Sequence, residues 1–206
     1  MIERPVTLPF KGDRAYLHGT DMYNTIMEAF PGADVHKIVF TIHRILYNPS
    51  CILMVADGTE DLSAVDACPV RCKLSTDGAP RYVGLRESTS RIAREERRPY
   101  DVGQVLDRCR LEGRQIMLEG NSPFTFIETI IPMNKALLTT LLPDAPGKWF
   151  FTRLDLHRNE KRRDGLGLRF LHNLDFKLVK SEITGRGETL GYLYFTAVPA
   201  WSDSKP

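Results

Sequence analysis

The sequence lacks several features that would point at once to a class of protein. No apolar run approaches the roughly 18 residues of a membrane-spanning helix, and there is no glycine-rich phosphate loop or dinucleotide fingerprint. The net charge of +2 is too small for the electrostatic footprint of a dedicated nucleic-acid binder. We therefore expect no membrane insertion, no nucleotide chemistry and no nucleic-acid partner.

Cysteine and targeting signals are also sparse. Of the four cysteines, only Cys68 and Cys72 lie close together, and no second ligand pair sits at the spacing of a zinc site. The segment Met1 to Pro5 has neither a basic start followed by an apolar stretch nor a small-residue cleavage site. We expect reduced cysteines, no metal, no cofactor and a cytoplasmic location.

What the sequence does contain is an internal repeat. Two passages of the first half, a helix stop and a strand-like run, return in the second half: Phe30-Pro31-Gly32 as Leu142-Pro143-Asp144, and Ile38 to Arg44 within Trp149 to Arg158. The histidines of the runs, His43 and His157, are 114 residues apart (157 − 43). Such self-similarity predicts a duplicated fold unit.

A second pair of segments extends the repeat, because Arg44 to Asn48 resembles Arg169 to Asn173. Their larger offset predicts an insertion around Asn159 to Gly167 in the second copy. We expect His43 and His157 to recur for packing or for a salt bridge.

Periodicity and turn residues predict the same order of elements in both halves. The first half has a hairpin of Val6–Phe10 with Ala15–Leu17, a helix from Thr20 to about Phe30, and strands at Lys37–Leu46 and Cys51–Val55. The second half has strands at Gln115–Leu118 and Phe124–Ile131, a helix from Pro132 to Leu142, and strands at Trp149–Leu156, Leu174–Ile183 and Leu190–Val198. The fold class is α+β, with units at residues 1–88 and 114–206.

The connecting segment, residues 89–113, begins with a charged run in which Arg91 and Arg94 recur at near-helical spacing. A solvated linker helix explains this run most simply. The alternative is a docking patch for the phosphates of coenzyme A or for an acidic carrier protein, since guanidinium groups suit phosphate.

One helix followed by long antiparallel strands, present twice in one chain, resembles the double-hotdog arrangement. This resemblance implies an enzyme that binds an acyl thioester carried by coenzyme A or a carrier protein. In its dehydratases a histidine of one unit and a carboxylate of the other act at the seam between the units, which here suggests His18 and Glu128 as base and acid. Thioesterases of this fold use a carboxylate near the helix start, which suggests Asp21.

The sequence departs from that family in two places. Only Gly19 follows His18, without the family's proline, and Glu128 precedes Pro132 in what reads as a strand, whereas the family places its acid on the helix. His18 as a turn histidine and Glu128 as an outward-facing strand residue are therefore equally open interpretations.

A second resemblance is to chorismate lyase-like proteins. It rests on Arg114 to Leu118, Ser122 to Phe124, Thr129 to Pro132 and Lys148 to Phe151. It implies a carbon-oxygen lyase in which Arg114 clamps a carboxylate and should point into a cavity. The expected glutamate on the last strand is missing.

The third alternative is a binding protein that has kept the pocket of the duplicated fold without its catalytic residues. A chain with the double-hotdog arrangement could still form a homodimer through exposed strand edges.

Overall fold

The computed structural model describes residues 1–90 and 96–199 of the chain. They form two compact units, one made of residues 1–102 with Leu154–Glu160 and the other of Gly103–Arg153 with the residues from Lys161 onward. Each unit has a helix and an antiparallel sheet, so the α+β class is confirmed. The unit boundaries that we expected at residues 88 and 114 stay predictions.

Unit 1 carries six strands and two helices before residue 90, with a short strand after the charged run. In chain order they are β1 (Ile2–Thr7), β2 (Phe10–Lys11), α1 (Gly19–Met27), β3 (Val35–Ile42), β4 (Ser50–Asp57), α2 (Ser63–Asp66), β5 (Val70–Thr76), β6 (Ala79–Glu87) and β7 (Arg97–Arg98). The order in its main sheet is β1-β4-β6-β5-β3, while β2 and β7 pair separately and in parallel.

The two helices of unit 1 cover opposite faces of this sheet. On one face, Tyr23 of α1 packs edge-on against Phe40 of β3, with ring centroids 5.7 Å apart. On the other face, Val65 of α2 joins Met54 and Ala56 in a buried cluster. Helix α2 lies in the connection between β4 and β5. These two strands are not neighbours in the sheet, because β6, which follows β5 in the chain, lies between them.

Two predictions for the start of the chain are wrong. The expected hairpin of Val6–Phe10 with Ala15–Leu17 does not form, since β1 pairs along its whole length with β4 and residues 15–17 form no strand. The helix begins at Gly19, with His18 rather than Thr20 at the N-cap position, and ends at Met27, after which a tighter turn carries the chain to Phe30.

The β5–β6 hairpin was missed, although the sequence signals it. Asp77 and Gly78 connect the strands with φ angles of 50° and 82°. This aspartate-glycine pair suits a two-residue turn that requires positive φ at both positions.

Unit 2 places one long helix with a six-stranded antiparallel sheet. Its elements are α3 (Gly103–Leu106), β8 (Cys109–Glu112), β9 (Gln115–Leu118), α4 (Phe126–Leu141), β10 (Lys148–Arg158), β11 (Leu166–Leu174), β12 (Leu178–Gly185) and β13 (Glu188–Val198). The strand order is β8-β9-β11-β12-β13-β10. Strand β10 has its last residues, from Leu154, in unit 1.

Helix α4 begins six residues earlier than predicted, because its start is fixed by a capping box rather than by proline. The Thr125 hydroxyl accepts from the Glu128 amide, and the Glu128 carboxylate accepts from the Thr125 amide. Pro132 therefore lies inside the helix and is buried there. Burial of nearly every side of α4 outweighs the hydrogen bond that proline cannot make.

The strand predicted at Leu174–Ile183 is interrupted, because Asp175 and Phe176 form a turn with φ angles of 50° and 55°. The segment Arg169–Asn173, which resembles Arg44 to Asn48 in sequence, lies inside β11. A tight turn joins the last two strands, with Arg186 and Gly187 both at positive φ.

The cysteines are free thiols, as expected from their spacing. Burial raises the pKa of the Cys51 thiol to about 12 and that of Cys109 to about 11. Among the described residues, no helix is both long and apolar enough to cross a membrane.

Substitution of Gly84 tests how closely α2 packs on the sheet, through its effect on the free energy of unfolding. A Cβ at this position of β6 would come within 2.6 Å of the Cys68 Sγ and 3.4 Å of the Val65 Cα. We expect Gly84→Ala to lower the free energy of unfolding by about 1–3 kcal/mol in urea titrations, which is typical of overpacking.

The double variant Gly84→Ala/Cys68→Ala supplies the control. Removal of the Sγ should recover part of the loss, so the two effects should not add. Strict additivity would contradict the proposed steric conflict.

Candidate functional site

Helix α1 starts at a histidine that does not cap it. His18 occupies the N-cap position with extended backbone, yet its side chain makes no capping hydrogen bond to the helix. Its Nδ1 lies instead 2.7 Å from the Oγ1 of Thr20, and the ring is half-buried. The imidazole is thus oriented by a side chain of the first helical turn.

A buried ion pair lies directly beside this histidine. The Nζ of Lys11, on β2, is 2.9 Å from the Asp21 Oδ1, and these residues are only 3% and 8% exposed. The same ammonium donates to the Thr20 Oγ1 at 2.8 Å. Because both charges have lost their hydration, removal of either one would leave the other buried and uncompensated.

The segment that follows the charged run closes over Lys11. Strand β7 pairs with β2, and the Phe10 amide donates to the Glu96 carbonyl at 2.9 Å. This pairing brings the Tyr100 ring to 4.7 Å from the Lys11 Nζ and 5.9 Å from the His18 ring. The cluster at the start of α1, hereafter the α1 cluster, comprises Lys11, His18, Thr20, Asp21 and Tyr100.

Hydrogen-bond chemistry limits what Thr20 can do. An ammonium only donates, so the Thr20 oxygen uses one lone pair on Lys11 and keeps one lone pair and one O–H. It can therefore accept from a protonated Nδ1 of His18 or donate to an unprotonated one. In the first case Nε2 of the neutral ring carries the basic lone pair.

Glu128 lies in the first turn of α4, not on the strand that we predicted. Its Oε2 accepts from the Thr125 Oγ1 at 2.7 Å and from the Thr125 amide at 3.1 Å. This bonding serves the capping box and gives Glu128 a structural role in unit 2.

The two candidate acids occupy the same helical position in their own units. Asp21 is the third residue after the N-cap His18, and Glu128 is the third residue after the N-cap Thr125. A carboxylate is favoured here because it faces the positive end of the helix dipole. The histidine thus has its structural counterpart in a threonine.

Arg114 lies in the β8–β9 turn and is exposed. Its guanidinium donates to the Leu171 carbonyl at 2.8 Å and stacks 4.7 Å from the Phe170 ring centroid. A clamp for a substrate carboxylate should point into a cavity, so this arrangement disfavours the lyase interpretation. The remaining predicted binding residues, Arg91 and Arg94, lie outside the described residues.

The repeated histidines do not share a role. His43 follows β3 and its Nε2 accepts from the Arg71 guanidinium at 2.5 Å, whereas His157 is exposed near the end of β10. Desolvation first, and the Arg71 charge second, lower the pKa of His43. Neither histidine belongs to the α1 cluster.

Sequence reasoning missed Lys11 and Tyr100. Lys11 lies between the two segments of the predicted hairpin, and nothing in the local pattern marks a lysine that will be buried beside an acid ten residues away. Tyr23, also on α1, is not a candidate base, because burial holds its phenol neutral by raising its pKa. Within the described residues, no three histidine, cysteine or acidic side chains group as a metal site would require.

Comparison with known proteins gives a fold. No protein-family model and no curated protein matches the chain. Among solved structures, the tesB protein of Mycobacterium avium subspecies paratuberculosis matches with a TM-score of 0.52 at 9% identity, over 96% of this chain and 93% of that one. A protein described as a thioesterase, from Novosphingobium aromaticivorans, matches with a TM-score of 0.50 at 10% identity, over 95% of both chains.

A further match is the dehydratase domain of the CurK module of curacin polyketide synthase, with a TM-score of 0.46 at 8% identity over 90% of this chain and 83% of that one. The chain has the double-hotdog fold. The double-hotdog resemblance read from the sequence is thereby confirmed.

Removal of Lys11 should leave the buried Asp21 carboxylate without its counterion. We expect Lys11→Met to lower the free energy of unfolding by about 3 kcal/mol, the typical loss when one member of a buried pair is removed. The double variant Lys11→Met/Asp21→Asn should recover much of this loss. As a control, Lys177→Met breaks the exposed pair with Asp175 and should change stability by less than about 1 kcal/mol.

His43 should make stability depend on pH. Its folded pKa lies below its unfolded value, so the unfolded chain binds more protons and stability falls as pH drops below about 6.5. His43→Gln should flatten the slope of melting temperature against pH between about pH 7 and 5. An unchanged slope would contradict a neutral, Arg71-bound His43.

Proposed function

We propose that this protein hydrolyses acyl thioesters, with His18 as the general base. The observation that supports this most is the α1 cluster, in which Lys11 and Thr20 hold the His18 ring at the start of α1. An imidazole is neutral and basic near neutral pH, which general-base catalysis requires.

The hydrogen bonds of Thr20 favour a productive tautomer. If its oxygen accepts from both the Lys11 ammonium and the His18 Nδ1–H, then Nε2 carries the basic lone pair that takes a proton from water. Asp21 balances the Lys11 charge, so the positive charge that develops on His18 is not opposed by an unpaired ammonium. Thr20, Lys11 and Asp21 are thus positioning residues.

The reaction balances without a cofactor. His18 accepts a proton from water while the water oxygen bonds to the thioester carbonyl carbon. As the carbonyl re-forms, the carbon-sulfur bond breaks and His18 returns the proton to the departing thiolate. The products are a carboxylic acid and a thiol.

The start of α1 suits the charge that develops on the carbonyl oxygen. Gly19 and Thr20 are the first two helical residues, whose amides have no partner within the helix. Helix N-termini favour anions, and Gly19 lets a substrate approach closely because it has no side chain. These amides are our candidates for oxyanion stabilisation.

The comparisons support the substrate class. The neighbour from Novosphingobium is described as a thioesterase, and it matches over almost the whole of this chain. We take the substrate to be an acyl group on coenzyme A or on a carrier protein.

Dehydration of a hydroxyacyl thioester is the second candidate. It is favoured by Glu128, which offers a carboxyl group at the start of α4 where Asp21 stands in α1. His18 would then remove the proton next to the carbonyl, and Glu128 would protonate the departing hydroxyl. The pairing of His18 with Glu128 remains a prediction.

One assay separates the two reactions. Purified protein is mixed with saturated and 3-hydroxy acyl-coenzyme A, and thiol release and loss of water are both followed. We expect thiol release, and a decrease of at least about a hundredfold in kcat for His18→Ala, the usual contribution of a general base. Glu128→Gln should leave thiol release intact.

The matched control is His36→Ala, since His36 is an exposed histidine of the same unit that binds Asp34 at 2.6 Å. It should behave as wild type. Loss of water that requires both His18 and Glu128 would replace hydrolysis by dehydration. Thiol release that survives His18→Ala in folded protein would overturn the proposed base.

A further inference from the structure

Unit 1 contains a cleft at the opposite end of α1 from the α1 cluster. It has a volume of about 440 Å³, within the range of ligand-binding sites. Its apolar wall comes from the residues that follow α1, Ala29 and Phe30, and from Ile2 and Val55 of neighbouring strands. None of these residues takes part in the proposed chemistry.

Strand register explains why this wall carries two arginines. Ile2 lies opposite Val55, Arg4 opposite Leu53, and Arg81 opposite Asp57. Residues opposite one another share a face of the sheet, so Arg4 and Arg81 emerge on the face that carries Val55. Both guanidinium groups line the cleft.

The acids of the cleft bind groups of their own loop, and Glu60 also pairs with the Met1 amino group. The Asp57 Oδ1 accepts from the Thr59 amide at 3.0 Å and from its hydroxyl at 2.7 Å, while the Glu60 Oε2 accepts from the Asp57 amide at 3.1 Å. Within residues 1–90 and 96–199, the side chains of Arg4 and Arg81 form neither a hydrogen bond nor a salt bridge. The Thr59 hydrogen bonds lower the pKa of Asp57, and Arg81 adds to this effect only through its charge.

We propose that this cleft binds a small amphiphilic anion, which is a molecule with an aliphatic part and one carboxylate or phosphate head. The aliphatic part packs on Phe30 and Val55, and the head accepts hydrogen bonds from Arg4 and Arg81. Guanidinium forks match the two oxygens of either head group. This site is separate from the proposed thioester chemistry and does not depend on it.

The test uses decanoate, decyl phosphate and methyl decanoate as probes. Isotope-labelled protein is titrated with each, and amide shifts are followed by NMR. We expect both anions to shift the amides around Ile2, Ala29 and Val55, and the uncharged ester to bind at least about tenfold more weakly. That factor reflects the strength of hydrogen bonds to charged groups.

Two variants locate the head group. Arg4→Gln and Arg81→Gln should each weaken decanoate about tenfold. The matched control is Arg86→Gln, because Arg86 lies on β6 with Arg81 but on the opposite face, where it pairs with Glu3 at 3.8 Å. It should bind as wild type does.

Several results would overturn the proposal. If the wild-type protein binds methyl decanoate as tightly as decanoate, the arginines do not recognise the head group. Unchanged binding by both arginine variants, or shifts confined to residues near His18, would place the ligand elsewhere. The tighter of the two anions identifies the head group.

Discussion

The buried ion pair of Lys11 with Asp21 is the interaction on which the proposed site depends. Neither charge could remain at 3% or 8% exposure alone, since an unpaired buried ion loses its hydration without compensation. The pair therefore fixes β2 against the start of α1. Thr20 bonds to the same ammonium, so the orientation of His18 follows from the ion pair.

The two units differ in the hydrogen bonds made by the side chains at the N-terminus of their long helix. In unit 2, Thr125 caps α4 and Glu128 completes the box, so both polar side chains are spent on the helix itself. In unit 1, His18 occupies the N-cap position, but its side chain makes no capping hydrogen bond, and Asp21 pairs with a lysine. Unit 1 thus has an imidazole at the helix position where unit 2 has a threonine.

Much of the fold could be predicted from the sequence, and the errors have identifiable causes. The repeat of a helix stop and a strand run matches the ends of α1 and α4 with β3 and β10, because helix punctuation and β-branched runs are local signals. The start of α4 was mistaken because Pro132 was given more weight than the Thr125-Phe126-Ile127-Glu128 capping signature. Tertiary burial overrode the local preference of proline.

The site was harder to predict than the fold. His18 and Asp21 were proposed from the double-hotdog resemblance, which implies a histidine at the seam between the units and a carboxylate near the helix start. Lys11 and Tyr100 could not be found in this way, because they reach the α1 cluster only through the pairing of β2 with β7, two strands of two residues each. Pairing of such short, distant segments has no periodic pattern that a sequence could reveal.

The sheets of the two units also differ in how they satisfy charge. In unit 2, Arg169 and Glu182 lie opposite one another, and the arginine and Thr189 bond the carboxylate at 2.5–2.9 Å. Hydrogen bonds from Thr189, and then from Arg169, lower the pKa of Glu182.

In unit 1, β6 lies beside β4, and there Arg81 lies opposite Asp57. Asp57 is already bonded to Thr59, so register alone does not make an ion pair. The consequence is an arginine beside an apolar wall whose guanidinium has no hydrogen-bonded partner among the described residues, which is the arrangement that an amphiphilic anion would complete.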